Sequence, residues 1–183
     1  MTTQIFSLFA FLSFFISQTA VSAITVLPSL KVTVPMQTQT TYYTCGPASS
    51  MSVLRYFGKG KGNSEMGLAR LMDTSTATGT RFWNLANVLN NRGLKAVVKK
   101  GATVTDLRNA LKLNQPVIMN IDDEGGHYVV LAGVDSKYIY FMDPWYDFTT
   151  YRKWGIQKFY NHWYDYHNGT RYNRLGIFVS KRL

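Results

Sequence analysis

The spacing of apolar residues changes from helical to strand-like at Pro116, and this switch constrains the fold of the 183-residue chain more than any other feature. Upstream of it, Ala48, Met51, Val53, Leu54 and Phe57 recur at helical intervals, and Gly58 with the Lys-Gly repeat after it ends the run. Ser64 caps a second predicted helix, Glu65–Met72. Arg81–Asn91 is predicted as a third, closed by Gly93, and Thr103–Leu113 as a fourth, capped by Thr103 with Asp106 in its first turn. Leu30–Val34 and Leu94–Val98 are short extended segments. Downstream of Pro116, Val117–Ile121, His127–Val134 and Tyr138–Met142 are apolar, β-branched or aromatic, with Asp135-Ser136-Lys137 as a hairpin turn. Lys153–Trp163 is predicted as a helix that turns Trp154, Phe159 and Trp163 inward, and Leu175–Ser180 as a final strand. Helices followed by an antiparallel sheet define an α+β class.

With 46% hydrophobic and 15% aromatic residues the chain can bury a core, which excludes disorder along its length. Met1–Ala23 lacks charged side chains. It carries the apolar run Ile5–Ile16 and ends on Val21-Ser22-Ala23, small residues that suit signal peptidase. The expected organisation is a cleaved signal over 1–23, followed by one domain over 24–183. That domain would be exported, periplasmic or secreted, with no stable membrane span after cleavage. The net charge of +10 is scattered over residues such as Lys59, Lys99, Arg152 and Arg174. A solvated basic surface accounts for this pattern, and export argues against a nucleic-acid partner.

The single cysteine, Cys45, excludes an internal disulfide and cysteine-rich zinc sites. It lies in Thr44-Cys45-Gly46-Pro47, at a predicted helix start, where the helix dipole and free N–H groups favour a thiolate. Its neighbours Thr40, Thr41, Thr44, Ser49 and Ser50 are polar, which argues for an exposed, reactive thiol. A cysteine nucleophile needs a base and a group that orients the base. Of three histidines, His162 and His167 fall in the Tyr-rich tail, whereas His127 opens a strand after Gly125-Gly126, which clear space beside its ring. Asp143 ends the next strand. If the two strands pair, His127 and Asp143 share one edge. Gln39, with Gln37 as its rival, could offer an amide N–H to an oxyanion.

The ordered set Gln39-x5-Cys45-Gly46-Pro47-Ala48-Ser49, Gly126-His127-Tyr128-Val129-Val130 and Asp143-Pro144 resembles the C39-like peptidases of the papain-like cysteine protease clan. The resemblance implies a papain-like fold with N-terminal helices packed on a C-terminal antiparallel sheet. It implies Cys45 as nucleophile, His127 as general base and acid, Asp143 as orienter and Gln39 in the oxyanion hole. It implies a peptide or protein substrate and no cofactor or metal. The same residues would serve a transpeptidase or amidase, and a non-cleaving peptide-binding accessory module is the alternative of another class. Asp122-Asp123-Glu124 lacks the ligand spacing of a calcium loop and is read as a solvated loop whose charge helps keep His127 protonated. Asn168-Gly169-Thr170 is a glycosylation sequon. The aromatics of Trp145–Phe148 and Trp154–Tyr166 line a cleft or pack the core.

Overall fold

The computed structural model describes residues 29–123, 125–145, 150–167 and 169–182. The expected signal segment, Glu124, Asn168 of the sequon and the aromatics Tyr146 and Phe148 lie outside the described residues. The elements run β1 (Leu30–Lys31), α1 (Cys45–Tyr56), α2 (Glu65–Leu71), α3 (Phe82–Asn91), β2 (Leu94–Lys99), α4 (Val104–Lys112), β3 (Val117–Asp122), β4 (Gly126–Val134), β5 (Tyr138–Met142), β6 (Arg152–Gly155), α5 (Ile156–His162), β7 (Tyr164–His167), β8 (Thr170–Asn173) and β9 (Gly176–Lys181).

A seven-stranded sheet in the order β2-β9-β3-β4-β5-β6 carries the fold, and every described pairing in it is antiparallel. The seventh strand, β1, pairs with the end of β4, Leu30 opposite Val134, beyond the stretch of β4 that β3 covers. The C-terminal strand β9 inserts between β2 and β3, so β2 from the helical half becomes an edge of the sheet. Residues 164–173 form a separate hairpin, β7-β8.

Local chemistry explains the helix boundaries. Ser64 accepts from the Gly67 N–H at the start of α2, and Thr103 with Asp106 forms a reciprocal capping box on α4. Gly93 closes α3 at φ +75°, a conformation glycine takes without steric cost. The core joins α1 (Met51, Val53, Leu54) and α3 (Leu85, Leu89) to the sheet, whose central strands bury apolar side chains on both faces, Ile118 and Ile177 on one and Val129 and Leu131 on the other. Trp154, Phe159 and Trp163 are buried as expected, but Trp154 belongs to a strand: the predicted helix 153–163 is β6 followed by a shorter α5. Arg152 to Gly155 pair with β5 in register, and the backbone bonds of that ladder outweigh the helical spacing of three aromatics.

Candidate active site

Cys45 is the first residue of α1, and Thr44 is its N-cap. The helix begins three residues before its apolar spacing does, because Gly46 and Pro47 are good first-turn residues that carry no periodic signal. Gly46 is required by a close approach, since a Cβ there would fall 2.6 Å from Thr80 Oγ1. The thiol is 7% exposed, which corrects the expectation of an exposed cysteine. Of the polar neighbours that suggested exposure, Ser49 and Ser50 spend their hydroxyls on buried backbone oxygens. Ser50 donates to the Gly46 carbonyl (2.9 Å). Ser49, one turn beyond Cys45, donates to the carbonyl of Tyr128 (3.1 Å), the residue after His127, and so ties α1 to β4 beside both side chains.

His127 stands near the start of β4, and Asp143 directly follows β5. The register Val130 opposite Met142 brings them to the same edge, and His127 Nε2 lies 2.7 Å from Asp143 Oδ1. That contact leaves Nδ1 as the ring nitrogen available to the Cys45 thiol, which lines the same cavity. Burial works against the imidazolium, but the Asp143 and Cys45 contacts outweigh it and raise the His127 pKa from 6.5 to about 9. Asp143 is 1% exposed. Burial would raise its pKa, yet the bonds from His127, the Trp145 N–H (2.9 Å) and Arg152 hold the carboxyl below its ordinary range. His127 and Asp143 therefore form a charge-assisted pair at neutral pH.

Arg152 was assigned in the sequence only to the scattered basic surface. Its guanidinium bonds Asp143 Oδ2 and lies 3.1 Å from Asp123 Oδ2, bridging the buried carboxylate to the loop before His127. The register of β6, Arg152 opposite Phe141, sets this position. A reading of 153–163 as helix cannot show it. The acidic loop is likewise corrected. Asp123 is held by Arg152 and Asp122 by the Tyr164 hydroxyl, whereas Asp143 and Cys45 are the groups that stabilise the His127 cation.

Gly125 adopts φ +105°, but Gly126 is small for another reason than clearance beside the imidazole. A Cβ there would meet Asp165 Oδ1 at 2.6 Å. Asp165 is buried and bonded by Asn120 Nδ2 (2.9 Å) and the Tyr166 N–H (2.8 Å), which locks the β7-β8 hairpin onto β3 and β4. The other histidines are engaged elsewhere. His162 Nδ1 donates to the Asp122 carbonyl (2.9 Å), and His167 Nε2 sits 2.6 Å from Asp165 Oδ2.

Gln39 is tied to the same region through its backbone, since its N–H donates to the carbonyl of Pro144 (2.8 Å). Its Nε2 donates to the Thr41 carbonyl (2.7 Å), which leaves a second N–H for another acceptor. Gln37 instead donates to the carbonyl of its neighbour Thr38. The Gln39 loop is gripped by Glu65, whose Oε1 accepts from the Thr40 N–H (2.8 Å) and hydroxyl (2.9 Å). Cys45 and His127 open onto a cavity of about 400 Å³ walled by Tyr42, Asp123, Trp145 and Arg152. Trp145, 45% exposed, stands edge-on to the His127 ring at 6.4 Å. Among the described residues no group of three or more His, Cys, Asp or Glu side chains could hold a metal ion.

A buried thiol at a helix N-terminus, facing a strand-borne histidine paired to a carboxylate, on helices packed against an antiparallel sheet, is a cysteine-peptidase type of arrangement. The chain belongs to the Peptidase_C39 like family, whose pattern matches residues 31–170. The fold is that of C39 peptidase domains. A C39-like peptidase from Bacillus anthracis superimposes with a TM-score of 0.66 at 20% identity, covering 85% of this chain and 98% of that one. The peptidase domain of Streptococcus ComA, a bi-functional ABC transporter of a quorum-sensing pathway, gives 0.65 at 23% identity, covering 82% and 100%. A double glycine motif protease from an AMS/PCAT transporter, solved with its leader peptide, gives 0.61 at 21% identity, covering 86% and 98%. No curated protein matches the chain. Membership of this family supports a cysteine-peptidase kind of function.

Proposed function

We propose that this protein is an exported cysteine peptidase that cleaves peptide bonds through Cys45, His127 and Asp143, with Gln39 in the oxyanion hole. The bond of His127 to Asp143, beside a Cys45 that lines the same cavity and favours the His127 cation, carries the reading. In the first step the Cys45 sulfur, its proton held by His127, attacks the scissile carbonyl carbon, and the carbonyl electrons move onto oxygen. The second N–H of Gln39 Nε2 and the Cys45 backbone N–H, one of the orphan donors of the first helical turn, receive that oxyanion. The C–N bond then breaks, and His127 passes its proton to the leaving amine. In the second step His127 takes a proton from water, hydroxide adds to the thioester, and the Cys45 thiolate leaves. Asp143 keeps the imidazole oriented and stabilises its cation throughout, and Arg152 fixes Asp143.

A peptide occupies the related transporter protease, and a cavity lined by Tyr42 and Trp145 suits a peptide here. Export rests on the composition of Met1–Ala23; no helix among the described residues is long and apolar enough to cross a membrane.

A peptide bearing a C-terminal chloromethyl ketone tests the nucleophile. Intact-mass analysis should show one adduct, mapped to the fragment that holds Cys45. The His127→Ala chain should form it at least about 10²-fold more slowly. An unlabelled Cys45, or labelling indifferent to His127, contradicts the reading. Adding an amine acceptor during turnover separates hydrolysis from transpeptidation, and a stable peptide complex without turnover marks the accessory module.

A further inference from the structure

A second, larger hollow of about 820 Å³ lies at the other end of α1, walled by Tyr56 and Phe57 from that helix end, by Leu113 and Asn114 beyond α4, and by the rims of β2 and β9. A 12-residue helix spans roughly 16 Å between Cys45 and Tyr56, so the hollow is separate from the thiol's cavity. Its charge is one-sided: Lys95, Lys181 and Arg182 line it, and among the described residues no acidic side chain does. The C-terminal ends of α1 and α4 face the same space, each worth roughly half a negative charge. They offset about one of the three cations and leave an excess near +2. Beside the cations and the polar Asn114, Gln115 and Ser180, the lining carries three large apolar side chains, Tyr56, Phe57 and Leu113. Leu113 is 67% exposed, and the Tyr56 and Phe57 rings stand edge to face at 5.0 Å. The Tyr56 hydroxyl donates to the Asn114 carbonyl (3.1 Å), which ties the two helix ends into one wall.

We propose that this groove binds an acidic polypeptide segment that carries apolar side chains among its carboxylates. Charge complementarity selects the acidic partner. The exposed leucine and aromatic pair select a chain with apolar residues over a compact free anion, which would leave that surface wet. Addition of the segment to the sheet is blocked at the centre of β2, because Asn90 uses its side-chain amide to bond both the Ala96 N–H (3.0 Å) and carbonyl (3.1 Å). The partner is therefore held by side-chain contacts across the groove.

The test uses the Cys45→Ala chain, so that no bound peptide is consumed, and a fluorescein-labelled decapeptide of alternating Glu and Leu followed by anisotropy. Binding is expected, and the Lys95→Glu/Lys181→Glu pair should weaken it about tenfold or more. A Lys31→Glu/Lys158→Glu control pair should leave it within about twofold. Leu113→Ser, which keeps every charge, should also weaken it and covers the case in which the reversed pair fails to fold. Absence of binding, or binding insensitive to both groove variants, overturns the proposal. Equal binding of a Glu-only decapeptide, displacement by millimolar inorganic phosphate, or groove-dependent binding of phosphatidylglycerol vesicles in place of the peptide overturns it in favour of an anion or membrane site. The reversed pair should leave chloromethyl ketone labelling of Cys45 unchanged, so failure of the groove and failure of the peptidase reading are distinguishable.

Discussion

His127 is the residue on which the proposed chemistry turns, because three elements converge on it: β4 holds it, Asp143 after β5 pairs with it, and the start of α1 brings Cys45 to the same cavity. Its imidazole should titrate near 9, and ring NMR shifts followed against pH provide the check. Asp143→Asn should move the titration below the ordinary 6.5, since burial then acts without its main counterweight. A native titration near 6.5 contradicts the assignment. The sign of the stability effect follows from the same shift. The folded chain binds this proton more tightly than the unfolded chain, so the stabilisation is complete below about pH 6.5 and is lost as pH rises through about 9. Cys45, His127 and Asp143 were legible in the sequence because each is marked by its immediate neighbours: a helix start, a Gly pair and a strand-ending Asp-Pro. Arg152 was not, because only the pairing of β5 with β6 brings it to Asp143.

At the scale of elements, two contacts set the spacing of the site. Ser49 fastens α1 to β4 through the Tyr128 carbonyl. Ser49→Ala should cost only about 1 kcal/mol of stability by denaturant melting. The rate of Cys45 labelling should nevertheless fall several-fold, since the thiol and the imidazole lose their shared anchor. Unchanged labelling would show that packing alone sets the distance. Gly126 lets the Asp165 carboxylate press against β4. Gly126→Ala should destabilise the chain by about 1–3 kcal/mol, the usual cost of overpacking a rigid neighbour, and a melt unchanged from native contradicts the close approach. The helix caps at Ser64 and Thr103 were legible because capping is local. The short strands β6, β7 and β8 were not. Four residues carry little periodic signal, and Asp165 finds its partner Asn120 45 residues away in the chain.

At the scale of the whole molecule, the helical layer supplies the proposed nucleophile and the sheet supplies the proposed base and its orienter, so the proposed chemistry depends on how the layers are held together. The α+β class was legible from the switch at Pro116. The threading of β9 between β2 and β3 was not, because a final apolar strand fits several places in a sheet and only long-range register selects one. The +10 charge, diffuse along the sequence, gathers in part at the groove beyond α1, which Lys95 of β2 lines together with Lys181 and Arg182 at the end of β9. The central claim, peptide hydrolysis by Cys45, is tested most directly by incubating the native and Cys45→Ala chains with a mixed decapeptide library and reading new termini by mass spectrometry. New termini from the native chain alone, with the variant folded, are the predicted result. Equal cleavage by both chains, or cleavage by neither, contradicts the claim.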